Sequence, residues 1–91
     1  MYTLVWTAGF TRAAKKFTDQ HRSLNAKLAN ILRDLEVDPF QPHLKFHYLT
    51  GKLKGIQAVS ITHSYRITLT VMVTDKEIIL LDIGSHDEVY R

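Results

Sequence analysis

Pro39 and Pro42 divide the chain into two parts with different hydrophobic periods. Each proline lacks an amide donor and disfavours helix immediately before it, so a helical region has to end there. Upstream, Phe10, Ala13, Ala14 and Phe17 share one helical face, while Arg12, Lys15 and Lys16 occupy the other. Thr7 is placed to cap that helix. Leu24, Leu28, Ile31, Leu32 and Leu35 give the clearest periodic signal in the chain and predict a second helix. Only the polar segment Asp19–Ser23 lies between them, which predicts an antiparallel helix hairpin.

From about Leu44 the period becomes two. Ile56–Ile61, Tyr65–Val73 and Glu77–Ile83 read as strands, joined by the short turns Thr62–Ser64 and Thr74–Lys76 into consecutive antiparallel hairpins. Tyr2–Trp6 adds an N-terminal strand. In the middle strand Tyr65, Ile67, Leu69, Val71 and Val73 share one face, and Arg66, Thr68 and Thr70 the other. The apolar face receives the helix hairpin and the polar face is expected to stay open. The expected architecture is an α+β domain, with an N-terminal strand and helix hairpin on one face of a small antiparallel sheet.

With 91 residues and neither a linker nor a repeat, the sequence reads as one domain spanning 1–91. The absence of cysteine excludes a disulfide scaffold, thiolate metal sites and thiol catalysis. The longest apolar run, Ile78–Leu81, is far short of the roughly 20 residues of a membrane span. The N-terminus shows neither a basic region nor a cleavage site, so a cytoplasmic location is expected. The formal charge is only +3, but no Asp or Glu occurs from Pro39 to Thr74. That interval carries Lys45, Lys52, Lys54 and Arg66 with His43, His47 and His63, enough for a positive surface on a mildly basic molecule.

Phosphate-binding glycine loops, nucleophile elbows and HExxH helices are absent from the sequence. His43 and His47 have the spacing of a helical metal pair, but Pro42 argues against helix there and no carboxylate completes a site. Neither a metal nor an organic cofactor is expected. What remains is a set suited to metal-free RNA cleavage. Such a reaction needs a base for the 2′-hydroxyl, an acid for the leaving 5′-oxygen, and cations for the charged transition state. Histidine suits the proton transfers, arginine suits phosphate oxygens, and an aromatic ring can hold an unstacked base. His47, His86, Arg66, Lys52, Lys54 and Tyr90 supply every one of these types.

The segment Leu49-Thr50-Gly51-Lys52-Leu53-Lys54-Gly55, the Tyr65-Arg66-Ile67 hairpin and the terminal Gly84-Ser85-His86-Asp87-Glu88-Val89-Tyr90 resemble the RelE/ParE toxin superfamily. Phe10–Phe17 is similar to the first helix common in these toxins. The resemblance covers essentially the whole chain, and its RelE and YafQ-like ribonuclease branches are the nearest. It implies a type II toxin that cleaves mRNA in the ribosomal A site and is inhibited by a cognate antitoxin. DNA would be contacted only indirectly, through the toxin–antitoxin complex.

Carried over by position, His47 matches the histidine two residues before the Leu-x-Gly of the YafQ-like branch. His86 matches that branch's histidine after the last strand, and Tyr90 takes its C-terminal aromatic position. Arg66 matches the phosphate-engaging arginine of the RelE and YoeB branches. Lys52 and Lys54 resemble basic residues of the RelE segment. The implied roles are His86 and His47 for proton transfer, Arg66 for the transition state, Lys52 and Lys54 for the RNA backbone, and Tyr90 for stacking or orienting a base. The sequence departs from the YafQ-like pattern at Ser60 and Ser64, which stand where that branch has histidine and aspartate. His63 lies beside them and joins the RNA-binding candidates. Two other readings stay open: a ParE-like inhibitor of DNA gyrase, and a weakly catalytic homologue that acts through antitoxin binding and operon co-repression.

Overall fold

The structure is a computed structural model, and it describes residues 1–90. Strand β1 (Thr3–Trp6) leads directly into helix α1 (Ala8–Gln20). A single 3-10 turn, Arg22–Leu24, separates α1 from α2 (Asn25–Val37). After the prolines come a two-residue strand β2 (His47–Tyr48), β3 (Gln57–Ser60), β4 (Tyr65–Met72), β5 (Glu77–Ser85) and a helical turn α3 (His86–Val89). The strands form one sheet in the order β1-β5-β4-β3-β2. No helix of the described residues is long and apolar enough to cross a membrane.

The sheet is mixed rather than wholly antiparallel, because β1 runs parallel to β5 while the other pairs are antiparallel. Backbone bonds pin β1 at its start: Tyr2 N–H donates to Glu36 O of α2 at 2.7 Å, and Thr3 N–H to Lys76 O at 2.8 Å. Thr7 does two jobs at the strand–helix junction. Its Oγ1 accepts from Phe10 N–H at 3.1 Å, capping α1, and donates to Leu80 O at 2.7 Å, tying that cap to β5.

The helical periodicity becomes the core. Phe10, Ala14 and Phe17 of α1 and Leu28, Ile31 and Leu35 of α2 are buried against Val59, Ile67, Leu69, Ile78, Leu80 and Ile83 of the sheet. Burial of the Phe, Leu, Ile and Val side chains among them is worth about 1.5–3 kcal/mol each. Val73, expected on the apolar face of the middle strand, lies past its end and is exposed.

The opposite sheet face is not open throughout, and this corrects the sequence expectation. Pairing sets His47, Ala58, Thr68 and Asp82 side by side across four strands. Ala58 is fully buried and Thr68 is only 4% exposed, although both lie on the face away from the helix hairpin. The cover is the C-terminal segment: α3 packs on β4 and β5, and Val89 is buried outside the main core cluster. The register of β4 on β5 shifts between Thr68 and Leu69, where Leu81 is passed over.

The charge pattern also acquires a position. The interval Pro39–Thr74 holds β2, β3 and β4, so it forms one complete flank of the sheet, whereas Glu77, Asp82, Asp87 and Glu88 belong to β5 and α3.

Candidate functional site

The C-terminal residues are held by a local device. Ser85 is the N-cap of α3, accepting at Oγ from Glu88 N–H at 3.3 Å, while Ser85 N–H donates to Glu88 Oε1 at 2.8 Å. This reciprocal capping box satisfies two otherwise orphaned donors and fixes the first helical turn. The pattern Ser-x-x-Glu is a helix-start signal, unused in the sequence expectation, which placed His86 only as lying after the last strand. Strand β5 instead runs to Ser85, and the chain then turns back over the sheet.

That reversal brings Tyr90 to His47, 43 residues apart in sequence. Tyr90 Oη lies 3.4 Å from His47 Nε2, and the Tyr90 ring packs edge-on against His86 with ring centres 4.3 Å apart. His47 Nδ1 lies 2.9 Å from the carbonyl oxygen of Lys45. A carbonyl can only accept, so Nδ1 carries the hydrogen. In the neutral ring, Nε2 then presents its lone pair, and Tyr90 Oη donates to it. His86 is exposed, with Nδ1 3.7 Å from Asp87 Oδ1. A shallow groove beside the cluster is lined by His47, Tyr48, Thr50, Lys52 and Tyr90, with Leu49 and Leu53 as its apolar part. None of these is acidic.

Arg66 stands elsewhere on the same sheet face. It pairs with Ser60 on one side and Gly84 on the other. Its Nη1 donates to Thr62 O and His63 O, both at 3.1 Å, which fastens the guanidinium to the β3–β4 turn. The pocket around it is lined by His43, Lys45, Ser60, Ile61, Thr62, His63 and Arg66, and shares no lining residue with the His47 groove.

The candidates from the sequence therefore fall into two adjacent groups. His47, His86, Tyr90 and Lys52 come together, and Arg66 and His63 share the second pocket. Lys54 is exposed and lines neither. Two residues not singled out for the site join the second pocket, His43 and Lys45. His43 Nε2 is 2.8 Å from Asp34 Oδ2 of α2, a contact that only the tertiary fold creates. Lys45 adopts a left-handed backbone with φ of 54°, uncommon for a residue with a side chain.

No protein-family model and no curated protein sequence matches the chain. Its shape does match solved structures. Superposition on Escherichia coli YafQ gives a TM-score of 0.82 at 17% identity, covering 100% of both chains. A YoeB/ParE toxin from Agrobacterium tumefaciens gives 0.76 at 20%, covering 92% of this chain and 98% of that one. YafQ in an Escherichia coli DinJ–YafQ complex gives 0.79 at 18%, again covering 100% of both chains.

Proposed function

We propose that this chain, whose fold is that of the RelE/ParE-superfamily toxins, is a toxin that cleaves mRNA held in the ribosomal A site. The observation that carries the reading is the convergence of His47, Tyr90 and His86 from β2 and the C-terminal turn, beside a groove with Lys52 and no acid. These are the groups that metal-free cleavage requires, and they meet on a surface suited to a polyanion.

His47 Nε2, its lone pair turned from Tyr90 Oη to the substrate, takes the proton of the 2′-hydroxyl, and the 2′-oxygen attacks the adjacent phosphorus. The bond from phosphorus to the 5′-oxygen breaks as His86 gives that oxygen a proton, leaving a 2′,3′-cyclic phosphate. Tyr90 keeps the two imidazoles in register through its hydroxyl and its ring. Lys52 holds the backbone near the scissile group, and Lys54, Arg66 and His63 extend the positive surface. The reaction needs no metal or organic cofactor.

A neighbour of this fold is seen in complex with DinJ, which supports a cognate antitoxin as the protein partner. An acidic segment that folds on binding suits the acid-free flank. DNA is reached only through that complex, and the site of action is the cytoplasm.

The direct test uses purified protein, programmed ribosomes and a defined mRNA. Cleavage at the A-site codon, much faster than cleavage of the same RNA free in solution, is expected. Intact RNA together with inhibited gyrase supercoiling would instead establish a ParE-like binding toxin.

A further inference from the structure

We infer that Tyr48 is a stacking platform for a nucleobase of single-stranded RNA, belonging to a nucleotide whose sugar–phosphate part lies at His47. That a flat base is the occupant stands on the platform and its groove. That the base neighbours a scissile bond rests on the cleavage reading above.

Tyr48 is 71% exposed, more than Trp6 or Phe40, yet its ring is braced. It meets Phe46 with ring centres 5.5 Å apart and planes at 87°, and Phe46 meets Phe40 at 4.9 Å and 77°. Edge-to-face pairs of this kind are favourable beyond the area they bury. Phe46 is half-buried against the core, and the buried Pro39 and Leu44 anchor the loop that carries Phe40 and Phe46. A tyrosine ring held in this way offers a flat face whose orientation is set beforehand. A base that stacks on it costs little further side-chain freedom.

Tyr90, to which the resemblance gives base stacking, is already engaged: its ring packs on His86 and its hydroxyl reaches His47. Tyr48 lines the same groove with its ring mostly in solvent. Two observations select a nucleobase over an apolar peptide side chain. The groove sets the ring beside His47 and Lys52 and has no acidic lining residue, so a π face adjoins donors for a phosphate backbone. Tyr48 also follows His47 directly in a strand, where neighbouring side chains point to opposite faces from Cα atoms about 3.8 Å apart. A nucleotide whose sugar–phosphate part lies on the His47 side can therefore carry its base round the sheet edge to the Tyr48 side. Strand β2 is the last of the sheet, so no further strand blocks that path.

The test is an NMR titration of the full chain with a 2′-O-methyl trinucleotide, which cannot be cleaved, and with versions of it that lack one base in turn. Upfield shifts of the Tyr48 ring protons, from the ring current of a stacked base, are expected, and removal of one particular base should abolish them. Tyr48→Ala should weaken binding about 5- to 150-fold, the range for losing one stacking ring. Tyr48→Phe keeps the ring and should bind like the wild type. Tyr48→Leu keeps apolar bulk without the flat face and should bind as weakly as Tyr48→Ala. The base-removal series on the wild-type chain gives its answer without any substitution, should a variant fail to fold. Base-dependent shifts at Tyr48 in a chain that leaves ribosome-bound mRNA intact uphold the platform and count against the cleavage reading. No base-dependent shift at Tyr48 overturns the platform, and if Tyr48→Ala then cleaves ribosome-bound mRNA at the wild-type rate, the cleavage reading stands. Wild-type affinity in Tyr48→Leu would also overturn it. So would Tyr48 shifts that grow with protein concentration without RNA, or that a leucine- and glutamate-rich peptide produces and the trinucleotide does not, since either marks a protein contact.

Discussion

Glu88 occupies the space that a side chain on residue 84 would need. A Cβ placed on Gly84 would lie 2.9 Å from Glu88 Oε1 and 3.2 Å from Glu88 Cβ. The glycine thereby admits the carboxylate that closes the capping box on Ser85. Gly84→Ala should push that carboxylate away and cost about 1 kcal/mol, as losing a cap does, with Ser85→Ala costing a similar amount. Urea denaturation measures both. Cleavage should fall by more than the fraction unfolded explains, because His86 and Tyr90 both ride on this turn.

Tyr90 joins the two histidines by separate means, a hydroxyl to His47 and a ring against His86. Tyr90→Phe keeps the ring and removes a single hydrogen bond, so cleavage should drop by up to about tenfold. Tyr90→Ala removes both links and should cost considerably more. Single-turnover cleavage under saturating RNA separates these effects from binding.

Ala58 lies in the row between His47 and Thr68, beneath the returning C-terminal segment. Enlarging it to Leu should cost about 1–3 kcal/mol through overpacking. The substitution should also lift Tyr90 from His47, visible as loss of the contact between the two rings in NMR. A stable Ala58→Leu protein with the Tyr90–His47 contact intact would show that this face is open, as strand alternation alone suggests.

Particular residues show why parts of the fold were legible and others were not. Leu24 to Leu35 declare helix α2 because a repeat of apolar residues needs no knowledge of its partner. The arginine and histidines of the site were equally visible as residue types. The turn-back at Ser85 was hidden, although Ser-x-x-Glu is a local signal, because β5 itself continues to Ser85 and the strand pattern gives no sign of where the chain goes next. Burial of Thr68 follows from the packing of α3 on β4, a segment distant in sequence, which no local pattern reports. The parallel docking of β1 on β5 depends in the same way on long-range bonds, such as Tyr2 to Glu36. The separation of Arg66 from His47 follows from the strand order, which puts β3 between them, where the sequence showed only an arginine on a polar strand face.

Lys52 and Lys54 are alike in sequence and unlike in place. Lys52 lines the groove with His47 and Tyr90, while Lys54 does not. Lys52→Ala should raise KM for ribosome-bound mRNA several-fold with kcat nearly unchanged. Lys54→Ala should have a clearly smaller effect on KM. Equal effects would mean that only the overall charge of this flank matters.

The most direct measurement maps mRNA 5′ ends in cells expressing the wild-type chain or His86→Ala. With the wild type, new 5′ ends should appear in step with the reading frame while translation arrests. With His86→Ala they should fall by about 10²–10⁴-fold, the usual contribution of a general acid or base. Arrest with intact mRNA, or undiminished cuts from a folded His86→Ala protein, would contradict the role given to the His47–Tyr90–His86 cluster.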